Sequence, residues 1–561
     1  MSDAKNSLLT RFLPSLTDLA FIMPLVFLFG RGQGAKLLIG DGDTGWHIRT
    51  GQWIMEHGRV PDHDIFSFSK PGQPWFAWEW LWDVVFGWLH QKAGLAAVAV
   101  ASMILLSFTF ALLFRLTRRA CPNPFIAIGV TLMATAGSSM HWLARPHLFT
   151  LFFTVVFYWI LEDARQGRTR RLILLPFLMV LWANLHGGFL VGTILIGAYV
   201  AGEFVSWLLA SERTGTKALL AQSKPYLLAL AGCVGASLLN PYGYHLHAHV
   251  YRFLTSSNFY LRYIQEYQST SFQTVLALWY EPMLLLGAVA AAWCVYRKRF
   301  AQALLVAAWA HLGLFAVRNM PIYLLIAAPP VANMLYEWLE LLVGAHAPEW
   351  LRKAARSLLD YGAGFDALDR LPRVYATSAV AAVLLSAVFF TPNPPWIFRA
   401  EYDPQRYPAA ALQVLRSPQV AGNVYTIDEW GDFLIYSLYP NAKVFVDGRF
   451  DFYGPEFTEK YLGLNELRYG WEQTLNQYGI GTMLLPVDAP LARALKLSSR
   501  WQLVYDDGVA IVFRRAAAAE QGSQRYSAVS NDGEIHRGRA TTKVQSGDLR
   551  VTQHHMRSES L

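Results

Sequence analysis

The sequence predicts an α-helical polytopic membrane protein of about eleven transmembrane helices with a small C-terminal extracytoplasmic α/β domain. Three observations predict it. Of 561 residues, 54% are hydrophobic and only 16% charged, with a mean hydropathy of +0.25, whereas soluble domains carry about 25% charged residues. Long apolar runs follow one another over the first 391 positions. From about residue 400 the pattern changes to short β-like runs separated by helix-like stretches with Pro and Gly at the joints.

The apolar runs lie near 17–39, 94–114, 124–140, 147–161, 172–184, 189–209, 226–240, 282–296, 302–317, 320–337 and 374–391. Lys5 and Arg11 precede the first, but no small-residue cleavage site follows it, so it reads as an uncleaved span. Cationic clusters fall on alternate loops: Arg115, Arg118 and Arg119; Arg165, Arg168, Arg170 and Arg171; Arg213, Lys217 and Lys224; Arg297, Lys298 and Arg299; Arg352, Lys353, Arg356, Arg370 and Arg373. The positive-inside rule makes these loops cytoplasmic, together with the N-terminus, in an inner (plasma) membrane. The C-terminus is then extracytoplasmic.

On the outer side lie loop 40–93, short loops at 141–146 and 185–188, loop 241–281, the turn at Arg318 and everything after 392. Three units follow: a transmembrane domain over 1–391, an α/β domain over 392–515, and a tail over 516–561 too poor in large apolar residues to bury a core and therefore expected to be disordered. In the α/β unit the strand-like runs are Val424–Ile427, Lys443–Val446, Met483–Leu485, Trp501–Tyr505 and Val509–Phe513. Trp75, Trp78, Trp80, Trp82 and Trp88 crowd one segment with Glu79 and Asp83, which predicts a helix lying flat at the membrane interface.

Several classes are excluded. The net charge of +8 is dispersed over short loops rather than gathered on one face, so nucleic acid is not a partner. Cys121, Cys233 and Cys294 lack motif spacing, which argues against disulfides and a zinc site. There is no internal repeat and no Gly-rich nucleotide loop. His245, His247 and His249 alternate without matching ligands, as an amphipathic interfacial segment would.

Polar groups beside hydrocarbon are costly and mark functional sites. Four constellations share the outer side. The first is Asp41 and Asp43 with His47 and Arg49; the same two carboxylates would also serve merely to end a span. The second is His141, Arg145 and His147, where Arg145 either snorkels or binds an anionic group with its planar fork. Glu266, in the aromatic stretch Tyr263–Thr270, is the third, with an ordinary loop glutamate as the alternative. Arg318 is the fourth, in a turn too short to leave the membrane face.

The order of these pieces resembles the GT-C glycosyltransferases, and most closely the catalytic subunit of oligosaccharyltransferases. That family places an Asp in its first outer loop, followed by an aromatic residue, a polar residue and, six positions on, an Arg; Asp43, Trp46, His47 and Arg49 match. Its fifth outer loop carries a glutamate that Glu266 resembles, and a later membrane Arg that contacts the carrier pyrophosphate is similar to Arg318. Two departures stand out. Where the family's second outer loop supplies acidic metal ligands, this chain has His141, Arg145 and His147, and Asp428–Leu434 replaces the Trp-Trp-Asp-Tyr-Gly acceptor motif. The short motifs around Leu143–His147 and Leu181–Gly188 are similar to those of an uncharacterised bacterial branch.

The resemblance implies a membrane glycosyltransferase moving a sugar or glycan from a polyprenyl-phosphate or pyrophosphate carrier to a glycan, lipid or protein acceptor on the extracytoplasmic face, by one inverting displacement. It implies Asp43 and Glu266 as catalytic residues, Arg318 and Arg145 at the donor phosphate, and Asp41, His47, Arg49 and His147 in support. Arg145 in place of an acidic ligand points to a metal-independent site, with Asp43 and Glu266 still able to share a divalent cation such as Mg or Mn. The rival reading is a transporter or non-catalytic component of envelope polysaccharide assembly, which would place its charges near the midplane instead.

Overall fold

The computed structural model describes residues 11–30, 32–210, 215–255, 263–274, 277–369, 371–417 and 423–516. Each apolar run carries a helix. Among the described residues five helices are long and apolar enough to cross a membrane: Trp80–Ala120, His147–Arg165, Gly187–Leu208, Ala277–Tyr296 and Val317–Gly344. Leu16–Gly30, Phe300–Phe315 and Ala376–Phe389 are apolar but shorter. At 1.5 Å per residue a 15-residue helix reaches only about 22 Å of a ~30 Å hydrocarbon core. The expected disordered tail lies outside the described residues apart from Ala516, as do Arg213 and Arg370.

Several polar side chains inside the bundle are satisfied by nearby backbone. Asn123 caps the Pro124–Ser138 helix by accepting from the Phe125 and Ile126 amides at 3.0 and 3.3 Å. Thr131 and Thr135 donate back one turn to the Ala127 and Thr131 carbonyls at 2.8 and 2.7 Å. At the end assigned to the cytoplasm, Arg119, Arg168 and Arg171 all pair with the buried Asp163.

The 41-residue helix Trp80–Ala120 breaks at Ala93 and Gly94. Gly94 has φ of +64°, a conformation glycine adopts without a Cβ penalty. The part before the kink, where the aromatic residues crowd, is held by helix packing. It packs side by side with the Asp43–His57 helix, so closely that a Cβ at Gly51 would fall 1.8 Å from the Asp83 carbonyl oxygen. Trp75 and Trp82 are buried there, and Trp88 is left exposed.

The C-terminal sheet has the order β1-β2-β4-β3. β1 (Asn423–Tyr425) runs parallel to β2 (Ile480–Pro486), while β4 (Ala510–Arg515) is antiparallel to both β2 and β3 (Trp501–Asp506). The crossover from β1 to β2 carries helices Asp428–Leu438, Phe450–Asn465 and Trp471–Gln477. Lys443–Val446, strand-like in sequence, lies outside this sheet. Val444 instead exchanges hydrogen bonds with the first outer loop, donating to the Phe66 carbonyl and accepting from the Phe68 amide, both at 3.0 Å. The run is apolar because Val444, Phe445 and Val446 are buried.

Candidate active site

Asp43 opens the helix Asp43–His57, and its amide donates to Asp41 Oδ1 at 2.8 Å. Anionic side chains are favoured at this positive end of the helix dipole. Three residues on, Trp46 donates its indole N–H to Asp43 Oδ1 at 3.2 Å, the contact that i,i+3 spacing brings about.

Arg145 arrives on a short loop stitched to the first one. The Ala144 amide donates to the Leu38 carbonyl at 2.8 Å, and Thr44 donates its hydroxyl to the Ala144 carbonyl at 3.2 Å. Arg145 Nη1 is thereby 2.9 Å from Asp41 Oδ2 and 3.4 Å from Glu266 Oε1, and its Nη2 pairs with Asp43 Oδ2. Side-chain exposure is 13% at Asp43 and 29% at Glu266, so the group is shielded but reachable.

Glu266 sits in the turn Gln265–Tyr267. The Val317 amide donates to the Gln268 carbonyl at 3.0 Å, which ties this turn to the one carrying Arg318. The Arg318 guanidinium lies 4.5 Å from the Tyr267 ring centroid and makes no ion pair among the described residues. Arg145 and Arg318 both stand just before helices, His147–Arg165 and Met320–Gly344, at helix ends rather than mid-span.

Burial pushes the Asp43 carboxyl up to about 7 against the pull of Arg145, with Asp41 and Glu266 adding to the rise. Burial also raises Glu266, but His141, Arg145 and Arg318 outweigh it and hold that carboxyl at about 2. The two carboxylates are therefore pushed in opposite directions around one guanidinium.

The supporting residues divide. His47 turns inward, with Nδ1 2.7 Å from Asp83 Oδ1 and Nε2 3.6 Å from Glu79 Oε2. Glu79 also lies 3.5 Å from His186 Nε2. The Gly188 amide donates to His186 Nδ1 at 3.1 Å, which leaves Nε2 as the protonated nitrogen facing Glu79. Burial and the charges of Asp451 and Asp43 push the Glu79 carboxyl up to about 8, although Arg145 opposes the shift. His147 is 2.7 Å from the His141 carbonyl. Arg49 points away from the carboxylates, donating from Nε to the Tyr436 carbonyl and from Nη1 to Gln52 Oε1, both at 2.8 Å. It joins its helix to the C-terminal unit.

That unit contributes residues to which the sequence gives no role. Asp432 accepts from the Gly448 amide at 3.0 Å, and burial with Asp43 nearby drives its carboxyl well above the usual range. A Cβ at Gly448 would lie 2.1 Å from Asp43 Oδ1 and 3.0 Å from Asp432 Oδ2. The two carboxylates therefore flank this glycine, and the strip Asp428–Leu434 is the only sequence signal for Asp432. Docking is fixed by Arg449, 2% exposed, whose Nη2 is 2.7 Å from both Asp64 and Asp447.

A divalent cation, implied by the resemblance, does not fit these residues. Asp41, Asp43 and Glu266 are already drawn around the Arg145 guanidinium, a positive charge belonging to the chain itself. Among the described residues no group of three or more His, Cys, Asp or Glu is placed to hold a metal. The alternating histidines diverge: His247 bonds Ser237 at 2.9 Å, His249 bonds Asp451 at 3.0 Å, and the His245 ring lies tilted 4.1 Å from that of Tyr244.

No protein-family model and no curated protein matches the sequence. Solved structures do. The chain is similar to the oligosaccharyltransferase of Archaeoglobus fulgidus, crystallised with a tethered acceptor peptide containing an NVT sequon, at a TM-score of 0.52 and 12% identity over 90% of this chain and 74% of that one. It is similar to the apo form of the same enzyme at a TM-score of 0.51, with equal identity and coverage. At this identity the likeness is one of fold. The chain therefore has the fold of that oligosaccharyltransferase.

Proposed function

We propose that the protein is a membrane glycosyltransferase that moves a sugar or glycan from a polyprenyl-phosphate or pyrophosphate carrier to a glycan, lipid or protein acceptor on the extracytoplasmic face, by inverting displacement. The observation that carries this reading is the convergence of Asp43, Arg145 and Glu266 from three separate extramembrane segments, beside an Arg318 without an ion pair among the described residues.

The acceptor oxygen attacks the anomeric carbon while the bond from that carbon to the phosphate oxygen breaks, and the phosphate departs with the electron pair. The acceptor proton passes to the Asp43 carboxylate, whose raised pKa near 7 suits a base at neutral pH. Arg318 holds the departing phosphate through charge-assisted hydrogen bonds. Arg145 keeps Asp43 and Glu266 in place and offsets part of their negative charge beside the departing phosphate. A phosphate leaving group needs little acid assistance.

The test is transfer of radiolabelled sugar from polyprenyl-phosphate donors by membranes containing wild type, Asp43→Asn or Arg318→Ala. Asp43→Asn is expected to lose about 10²- to 10⁴-fold, the range for a removed general base; Arg318→Ala is expected to raise the KM for the donor. Equal rates for Asp43→Asn and wild type would overturn the assignment of Asp43, and absence of transfer from every donor would favour a transport or assembly role.

A further inference from the structure

Arg145 stands where its surroundings call for a cation. Three carboxylates from two segments, Asp41 and Asp43 on the first outer loop and Glu266 on a later one, each face one of its terminal nitrogens. The loop carrying it is fixed by backbone, since the Arg145 amide donates to the Leu143 carbonyl at 2.8 Å and Ala144 is held at Leu38 and Thr44. A guanidinium is permanently protonated, and its planar fork presents several donors to several oxygens at once.

We propose that Arg145 takes the place of a divalent cation among Asp41, Asp43 and Glu266, so that the wild-type protein binds neither Mg²⁺ nor Mn²⁺ there, and that removing the guanidinium turns the three carboxylates into a divalent-cation site. The two occupants exclude each other. An ion would need carboxylate oxygens within about 2.0 to 2.6 Å, and those oxygens already face Nη1 and Nη2. It would also bring two positive charges against a third at contact distance. Once the guanidinium is gone, three shielded carboxylates lose the cation they share, and a hard cation with oxygen ligands can take its place, in competition with protonation of Asp43. The inference concerns what the carboxylates bind, and it stands whether or not the chain transfers sugar.

The probe is Mn²⁺, titrated into the full chain purified in detergent and followed by its EPR signal and by the protein's Tm. Wild type is expected to take up no more Mn²⁺ than Asp43→Asn/Glu266→Gln. Arg145→Ala is expected to bind one ion at least tenfold more tightly than wild type and to gain Tm on adding Mn²⁺. Both effects should vanish when Asp43→Asn and Glu266→Gln are added to Arg145→Ala. If Arg145→Ala fails to fold, Arg145→Gln fills the same space without the charge and takes its place in the titration. The inference is overturned by stoichiometric Mn²⁺ binding in wild type that Asp43→Asn/Glu266→Gln abolishes, or by a folded Arg145 variant that binds no more Mn²⁺ than its carboxylate-depleted counterpart.

Discussion

Gly448→Ala adds one methyl group where the C-terminal unit meets the first outer loop, and it should disable Asp43 without touching its charge. The added Cβ would stand 2.1 Å from Asp43 Oδ1 and 3.2 Å from its Cγ, more than 1 Å inside the ~3.5 Å at which non-bonded heavy atoms settle. Gly448 is not among the residues with positive φ, so alanine brings no backbone strain and the whole effect falls on the contact. Asp43 cannot simply swing away, because Trp46 holds one of its oxygens and Arg145 the other. A displacement of about 1 Å at a reacting group costs on the order of 10²-fold in rate, or about 2.7 kcal/mol in the barrier. The assay is sugar transfer by the purified variant, with its Tm measured alongside. A hundredfold loss is expected in a protein that still folds, with Tm lowered by the ~1–3 kcal/mol that overpacking costs. A folded Gly448→Ala protein transferring within threefold of wild type would refute the reasoning, since no carboxylate pinned at both oxygens could yield that far at so little cost.

Two other perturbations test the surroundings of the site. Arg449→Ala leaves Asp64 and Asp447 buried without their shared counter-charge, and it strips a guanidinium from the Trp75 ring 4.4 Å away. Breaking a buried ion pair costs about 3–5 kcal/mol, so a large drop in Tm and early proteolysis between the two units are expected; a Tm close to wild type would contradict the clamp. Glu79→Gln tests the buried acid under His47 and His186. The folded protein keeps the Glu79 proton up to about 8, whereas an unfolded chain releases it near 4.3. Stability therefore falls as pH rises through that window, by at most about 1.4 kcal/mol per unit, and levels off above it. The amide has no such proton to lose, so the Tm of Glu79→Gln should be flatter from pH 5 to 8 and exceed wild type above it. Parallel Tm curves for the two proteins would remove Glu79 from this role.

How much of this was legible in the sequence depended on what decides each feature. Asp43, Arg145 and Glu266 stand out because charged groups beside long apolar runs are costly, and the structure brings them together. The Trp-rich segment is visible in composition, but its helix partner is not: what admits the Asp83 backbone is the absence of a side chain at Gly51. Lys443–Val446 alternates like a strand, yet its partner is Ser67 rather than a neighbour in the sheet. The pairing of Arg449 with Asp64 spans 385 positions, and no local pattern encodes it. Asp432 and Gly448 escape notice for the same reason, since their place beside Asp43 exists only once the C-terminal unit has docked.

Two arginines at this junction solve opposite problems. Arg449 is almost fully buried and meets two carboxylates and three aromatic rings, an arrangement with little room for change, as a joint requires. Arg145 remains 21% exposed and answers three carboxylates with a single charge. That leaves an excess of negative charge which would repel a phosphate from Arg145 itself. Arg318, stacked on Tyr267 beyond Glu266, is the cation still able to receive one. The site is accordingly polarised. In the proposed reaction Asp43, pressed against Gly448 and Asp432 under the C-terminal unit, would meet the acceptor and its proton, and Arg318, just before the Met320–Gly344 helix, would meet the carrier phosphate. On this division Arg145 offsets the repulsion between the carboxylate cluster and the departing phosphate, so weakening Arg145 should impair the Asp43 end and donor binding together.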